Sequence, residues 1–164
     1  MKIIVFSDSH GNSKAISKGL EMNAHNLDMC VFLGDGTDDA EYALSAYPKV
    51  ARVIVSGNRE DHFSAFLSVV TPPREAFFEA GGVKFLAMHG HRPADVKNGL
   101  VGAAKYGAEM GADVVLYGHT HAKNDQLIEV GDRTVRMINP GAAGKSFALL
   151  DIVDWNVICG FGQI

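Results

Sequence analysis

The stretch Val114–His121, with the sequence VVLYGHTH, joins an apolar run to a polar strand end. The first four residues predict a buried strand, which Gly118 ends. Side chains alternate along a strand, so two histidines at positions 119 and 121 are expected to point the same way. Neutral imidazole is the commonest metal-binding side chain, so the stretch predicts half of a metal site. A pair of solvated loop histidines is the alternative interpretation.

Polar side chains follow four further apolar runs in the same way. In open α/β sheets, ligands bind outside the carboxyl ends of the strands, so polar residues at several strand ends are expected to converge. Each also has an ordinary explanation as a turn or solvent-facing residue. The runs 2–6, 29–33, 50–55 and 83–88 are followed by Asp8 and His10, by Asp35, by Asn58, and by His89 and His91, respectively.

The other segments predict helices and hairpins. Asn12 or Ser13 suits the start of one helix. Asp38 and Asp39 suit the first turn of another, which is predicted to run to about Tyr47, because carboxylates there meet the positive end of the helix dipole. Pairs of strands flank Gly81-Gly82 and Gly131-Asp132-Arg133, which indicates two hairpins. Further predicted elements are a short helix around Phe63, a helix over 95–110 and a last pair of strands over 147–153 and 156–159.

The composition is that of an ordinary globular protein. The chain has 164 residues, 47% of them apolar, and a net charge of −4 without a basic stripe, which argues against long nucleic acids. Cys30 and Cys159 lie in apolar runs and are expected to fill the core. No apolar run has the length of a membrane span, and the start is too short for a signal peptide, so a cytoplasmic protein is expected.

Seven polar side chains at five strand ends form one candidate metal site. Cysteine is absent from the set, so a structural thiolate site is not indicated. Two carboxylates, four imidazoles and an amide exceed the needs of one tetrahedral ion, but they suit two divalent ions such as manganese, iron, nickel or zinc. One carboxylate could bridge ions about 3.5–4 Å apart, as in two-metal phosphatases and nucleases. The candidate ligands are Asp8, His10, Asp35, Asn58, His89, His119 and His121.

These motifs, in this order, resemble the signature of the calcineurin-like metallophosphoesterases. The short chain and its hairpins are similar to the small bacterial and archaeal phosphodiesterase branch, which in turn resembles the retromer subunit of eukaryotes. The resemblance covers roughly residues 1–150. It implies an α/β fold, a four-layer αββα sandwich with two mixed β-sheets flanked by helices, and we expect one such domain over residues 1–164.

The resemblance also implies roles for individual residues. It implies hydrolysis of a small phosphoester, most readily a diester, by hydroxide that bridges two metal ions, with Mn²⁺ as the first candidate. Asp35 would bridge the ions, and His91, close to the first ion, would ligate weakly or orient substrate, or else only support its neighbours. The first ion would be held by Asp8, His10, Asp35 and His121, and the second by Asp35, Asn58, His89 and His119.

Arg59 departs from the family pattern. Gly-Asn is usually followed by His, or in small members often by Cys, and the imidazole is thought to protonate the leaving group. Guanidinium stays protonated far above neutral pH and cannot do so. We therefore expect Arg59 to bind phosphate, and the protein to prefer good leaving groups. Asn58, Arg59 and His91 are the candidate catalytic residues.

A scaffold is the main alternative to an enzyme. The retromer subunit keeps the fold, while its site no longer works as an ordinary hydrolase. A degenerate scaffold is expected to lose ligands, whereas all seven ligand positions are intact here, which favours the enzyme. A nuclease would share the chemistry, but the acidic balance argues against it. An exposed hairpin edge could pair with a second copy of the chain.

Overall fold

The computed structural model describes residues 1–67, 71–92 and 99–164. Within these residues the chain forms ten strands and four α-helices. The strands are β1 (Lys2–Phe6), β2 (Met29–Phe32), β3 (Ala51–Ile54), β4 (Glu75–Ala80), β5 (Val83–Met88), β6 (Val114–Leu116), β7 (Asn124–Val130), β8 (Arg133–Asn139), β9 (Ser146–Val153) and β10 (Asn156–Gln163). The helices are α1 (Ser13–Asn23), α2 (Thr37–Leu44), α3 (Asn58–Leu67) and α4 (Leu100–Glu109), and a 3₁₀ turn covers Ala24–Asn26.

The strands form two five-stranded mixed sheets. The first sheet has the order β10-β9-β1-β2-β3, and its strands β1, β2 and β3 are parallel. The second has the order β4-β5-β6-β8-β7, in which β5, β6 and β8 are parallel. The carboxyl ends of parallel neighbours lie at one edge of a sheet, so both sheets present several strand ends together.

The two faces of each sheet bury different side chains. Ile3 and Val5 of β1 pack between the sheets with Phe85 and Leu116, whereas the intervening Ile4 belongs to the cluster beneath α1 and α2. A third cluster packs the outer face of the second sheet against α4. This alternation gives the order helices, sheet, sheet, helix, and confirms the predicted four-layer αββα sandwich.

Several predicted elements have other bounds in the structure. The helix α2 ends at Leu44, although the pattern predicted that it would reach Tyr47. Strand β10 extends to Gln163, beyond the predicted end at Cys159. The predicted start of the last long helix and the aromatic packing around Phe63 lie outside the described residues and side chains. Asn12 caps α1, because its side chain accepts a hydrogen bond from the backbone N–H of Ala15.

Both cysteines are free. Cys30 is fully buried, and burial raises the pKa of its thiol to about 12. Burial, with the nearby Asp125 carboxylate, also raises the pKa of the half-buried Cys159 to about 12. The thiols are therefore protonated at neutral pH, as expected of residues that fill the core.

Candidate metal centre

The loops after β1, β2 and β3 pack backbone against backbone. The N–H of Asp8 donates to the carbonyl of Gly34 at 3.0 Å, and the N–H of His10 donates to the carbonyl of Asp35 at 3.1 Å. A Cβ on Gly34 would lie 2.5 Å from the backbone nitrogen of Gly57, closer than unbonded atoms pack. Glycine is therefore required there for the strand ends to converge.

Five of the candidate ligands have left-handed backbone conformations. Their φ angles lie between 51° and 62°, a region that costs a residue with a side chain roughly 1–2 kcal/mol. Such residues cluster at functional sites, where the surrounding structure holds them. The five residues are Asp8, His10, Asp35, His119 and His121.

One set of three donors lies at the solvent side of the site. The Oδ1 atom of Asp8 is 3.3 Å from Nε2 of His121 and 3.9 Å from Nε2 of His10. The two imidazole nitrogens are 3.1 Å apart. Asp8 is buried, while both histidines are exposed, so the set has a buried carboxylate at its base and imidazoles at its mouth.

A second set of donors is centred on the buried His89. Its Nε2 atom lies 3.1 Å from Oδ1 of Asn58, 3.6 Å from Oδ1 of Asp35 and 3.8 Å from Oδ1 of Asp8. The ring of His119 is 5.1 Å from that of His89. Asp8 is thus common to both sets, and the bridging role that the resemblance implies for Asp35 stays a prediction.

Hydrogen bonds around His89 leave a lone pair that faces the site. Its Nδ1 atom lies 2.7 Å from the carbonyl of Leu33, which only accepts, so Nδ1 carries the proton in the neutral ring. The lone pair of Nε2 then faces the amide oxygen of Asn58. Two facing acceptors suit a cation between them, and a carbonyl that orients a ligating imidazole is typical of metal sites.

Two further observations fit a divalent cation. The Oδ1 atom of Asp8 is buried and has no hydrogen-bond partner among the described residues, which leaves a negatively charged acceptor unsatisfied. Burial and the neighbouring His89 lower the pKa of His119, so its ring is neutral at neutral pH and offers a lone pair. The residues present therefore fit the metal ions that the sequence predicts.

Glu60 holds the loops of the site in place, a role that was not predicted from the sequence. Its carboxylate accepts backbone N–H bonds of 2.7–3.2 Å from the end of β2, the start of α2 and the end of β3. Burial pushes the pKa of Glu60 up, but the four donors outweigh burial and hold the pKa below its ordinary value. The acidic residue two positions after Asn58 was the only signal in the sequence. The four donors belong to Asp35, Gly36, Thr37 and Gly57.

Asp39 holds the loop that carries His10. Its carboxylate accepts from the hydroxyl of Ser9 at 2.6 Å and from the N–H of Gly11 at 2.7 Å. The residue also lies in the first turn of α2, as predicted. Asp39 therefore connects α2 to the residues before and after His10, a candidate metal ligand.

Arg59 and His91 lie at different sides of the centre. The Nη1 atom of Arg59 is 3.2 Å from Nδ1 of His10, while its backbone N–H donates to Oδ1 of Asp35 at 2.9 Å. Nε2 of His91 is 3.2 Å from Oδ2 of Asp61, and its ring lies 5.4 Å from the ring of His89. These contacts place His91 beside the second donor set.

The prediction that strand alternation points His119 and His121 the same way is wrong. Strand β6 ends at Leu116, so both histidines lie in the following loop, where strand alternation does not apply. His121 joins His10 at the first donor set, whereas His119 lies against His89 at the second. The left-handed backbone at both residues, and not strand geometry, directs the two rings to one centre.

The fold and the site together define an αββα protein. Its candidate two-ion centre lies where the carboxyl ends of strands from both sheets meet. The family model of the calcineurin-like phosphoesterase superfamily domain matches residues 1–154. The chain therefore belongs to the calcineurin-like phosphoesterase superfamily. The predicted family is confirmed.

Named relatives are similar over most of the chain. The probable metallophosphoesterase YsnB of Bacillus subtilis is 29% identical over 143 residues, which cover 87% of this chain and 75% of the relative. Phosphodiesterase MJ0936 of Methanocaldococcus jannaschii is 28% identical over 167 residues, which cover 86% of this chain and 83% of the relative.

Solved structures share the fold at lower identity. A predicted phosphoesterase from Streptococcus pneumoniae superposes with a TM-score of 0.74 at 23% identity, covering 99% of this chain and 88% of that one. Vps29 of Entamoeba histolytica, in a structure with zinc, gives a TM-score of 0.66 at 22% identity, covering 99% of both chains. The resemblance to the retromer subunit is thus confirmed for the fold. None of the described helices combines the length and hydropathy that crossing a membrane requires.

Proposed function

We propose that this chain hydrolyses phosphoesters, most readily phosphodiesters, with two divalent metal ions, of which Mn²⁺ is the first candidate. The observation that carries the proposal is the convergence of two donor sets on Asp8, whose buried Oδ1 atom lacks a partner among the described residues. Phosphodiesterase MJ0936, a relative by sequence, is named for the same chemistry. We also propose a cytoplasmic location and one domain over residues 1–164.

The candidate ligands supply the binding site for the ions. When bound, two such ions lower the pKa of water, so hydroxide becomes available near neutral pH, and they neutralise charge on the phosphoryl oxygens. The Leu33 carbonyl fixes the His89 tautomer, and Glu60 fixes the loops that carry Asp35 and Asn58. The ions would be held by Asp8, His10, Asp35, Asn58, His89, His119 and His121.

Arg59 acts on phosphate in this proposal. A neutral His10 that offers Nε2 to a cation carries its proton on Nδ1, and Arg59 cannot donate to a nitrogen that already bears a proton. With His10 holding a cation, Arg59 would not donate to it, and the guanidinium would be available as a bidentate donor to phosphoryl oxygens. Asn58 would hold an ion through its amide oxygen and would add a polar contact to the phosphoryl group.

His91 is held by Asp61 in a defined orientation. The carboxylate accepts from Nε2, so in the neutral ring the lone pair lies on Nδ1. That atom is buried and has no hydrogen-bond partner among the described residues. It is placed to ligate weakly or to accept a hydrogen bond from a water beside the second donor set.

Hydrolysis of bis(p-nitrophenyl) phosphate with Mn²⁺ tests the proposal. We expect metal-dependent turnover, and a loss of about 100-fold or more in kcat/KM for His89→Ala, because a central ligand is removed. His25→Ala is the matched control, since His25 is exposed on the 3₁₀ turn. If folded protein shows no turnover with manganese, zinc, nickel or iron, the function is instead that of a non-catalytic interaction scaffold. The Vps29 structures of the same fold make this the second candidate.

Arg59→His tests the assignment of the leaving-group preference. Arginine cannot protonate an alkoxide, whereas imidazole can. We expect the variant to gain at least threefold on a dialkyl phosphodiester, in which either leaving group is an alkoxide, relative to bis(p-nitrophenyl) phosphate. No gain on poor leaving groups would contradict this role for Arg59.

A further inference from the structure

A cleft of about 300 Å³ opens beside the second donor set. His89 and His91 are among its lining residues, so the cleft adjoins the candidate metal centre. The volume is at the lower end of the range for small-molecule sites. The remaining described lining residues are Arg74, Glu75, Met88, Arg92 and Tyr106.

A carboxylate links two lining residues of the cleft, Arg74 and His91. Nε of Arg74 donates to Oδ1 of Asp61 at 3.0 Å, and Nε2 of His91 lies 3.2 Å from Oδ2 of the same residue. Because both bonds end on one carboxylate, the two nitrogens lie within about 9 Å of each other. The side chain of Arg74 is 52% exposed, so its guanidinium is accessible from the cleft.

A second carboxylate holds Tyr106, another lining residue of the cleft. The hydroxyl of Tyr106 lies 2.9 Å from both carboxylate oxygens of Glu75. Glu75 is paired across the sheet with the buried Met88, which also lines the cleft. The cleft thus combines an aromatic ring and an apolar side chain with two guanidinium groups, Arg74 and Arg92.

We propose that this cleft binds the organic part of the phosphoester and selects for a flat apolar body that carries a second anionic group. The inference rests on the proposed function, because it places the phosphate of the same molecule at the metal centre. Arginine pairs with carboxylate and phosphate through two parallel hydrogen bonds and also stacks on flat rings. Tyr106 supplies the aromatic surface against which the ring packs.

Two aryl phosphonates that differ by one charge test the proposal. Phenylphosphonate and 4-carboxyphenylphosphonate are not hydrolysed, so their affinities for the Mn²⁺-loaded protein can be compared by calorimetry. We expect the carboxylate to tighten binding about three- to tenfold, the effect of one or two partly exposed ion pairs. Both ligands carry the same phosphonate, so any change in phosphonate binding cancels in the ratio of the two affinities.

Variants that change the charge of lining residues are expected to change the ratio of the two affinities in a defined direction. Arg74→Gln and Arg92→Gln are each expected to lower the ratio toward one. Glu75→Gln is expected to raise it, because the variant removes a negative charge from the cleft. Arg52→Gln is the matched control, since Arg52 pairs with Glu41 on the surface and does not line the cleft.

Each other result overturns the proposal. A ratio near one in the unmodified protein does so, as does a lower ratio in Glu75→Gln, or no binding of either phosphonate. If Arg74→Gln and Arg92→Gln each leave the ratio unchanged, neither guanidinium contacts the second anionic group, and this result also overturns the proposal. If the protein hydrolyses bis(p-nitrophenyl) phosphate but the ratio is near one, only the cleft proposal is contradicted. If the ratio is high but no hydrolysis occurs, only the proposed function is contradicted.

Discussion

The Nε2 atoms of His10 and His121 lie 3.1 Å apart, although 111 residues separate them in the chain. The buried carboxylate of Asp8 lies 3.3 Å from Nε2 of His121, so a negative charge lies beside these two imidazole nitrogens. A cation between these atoms satisfies all three of them at once. The stability of the protein is therefore expected to depend on divalent metal.

Metal binding is expected to raise the unfolding temperature. A ligand that binds only the folded state adds about 2.7 kcal/mol at a concentration 100 times its dissociation constant. His121→Ala removes one donor and is expected to reduce the shift produced by Mn²⁺, as measured by thermal unfolding over a metal titration. His25→Ala serves as the control, and equal shifts in both variants would contradict the role of His121.

His119→Gly is expected to stabilise the metal-free protein by about 0.5–1 kcal/mol. The backbone of His119 has a φ of 62°, which glycine adopts without the clash of a Cβ. The same variant is expected to weaken metal binding. Urea unfolding in the presence of a chelator measures the stability.

Ala122→Gly is the matched control for that experiment. Ala122 is exposed in the same loop, with a backbone outside the left-handed region. Glycine there only adds conformational freedom to the unfolded chain, so we expect a loss of about 0.5–1 kcal/mol. Destabilisation of equal size in both variants would show that the backbone of His119 is not strained.

Glu60→Gln is expected to destabilise the protein by about 1–3 kcal/mol, because a neutral amide replaces the carboxylate that accepts four N–H groups. The loops that carry Asp35 and Asn58 would then lose their common anchor, so metal affinity is also expected to fall. Urea unfolding and a metal titration measure the two effects. Asp38→Asn, an exposed acid in the first turn of α2, is the control, and similar losses in the two variants would argue against the anchor.

The ion pair between Asp125 and Arg136 is expected to make stability depend on pH. The hydrogen bonds from Arg136, at 2.7 and 2.8 Å, hold the pKa of Asp125 below its ordinary value of 3.8. A depressed folded-state pKa stabilises the protein above the unfolded-state pKa, and the contribution is lost as the pH falls through the folded-state pKa. Nη1 of Arg136 also donates to the carbonyl of Val157, so the pair orders a contact between the two sheets.

Asp125→Asn is therefore expected to cost about 0.5–1 kcal/mol at pH 7 and progressively less below pH 4. Denaturant unfolding of both proteins between pH 2 and pH 7 measures the difference. Asp132→Asn, in the exposed turn between β7 and β8, is the control. A difference that stays constant over this range would contradict the assignment.

Much of the fold and the candidate ligand set could be predicted from local sequence. Strands such as Lys2–Phe6 are short, apolar and ended by polar residues, so their burial and their ends are encoded within a few positions. Because parallel strands bring their carboxyl ends together, the grouping of Asp8, Asp35 and Asn58 followed from topology alone.

The supporting contacts could not be predicted, because they depend on tertiary geometry. The four hydrogen bonds to Glu60 need the ends of β2 and β3 and the start of α2 at fixed distances, and nothing local distinguishes that carboxylate from an exposed one. The left-handed backbones of His119 and His121 are imposed by the surrounding loops and contradict local preference. The cleft joins Arg74 to Tyr106 only because the side chain of Tyr106, from α4, reaches Glu75 of β4.

The pairing of β1 with β9 has a consequence for synthesis of the protein. Lys2 is paired with Asp151, so β1 stays without one of its two neighbours until β9 has been synthesised and has left the ribosome. At about 5–20 residues per second, this exposes an apolar segment for about 7–30 s. Nascent chains are therefore expected to need shielding by a chaperone, and the ion-binding loops can be assembled only after translation has passed β9.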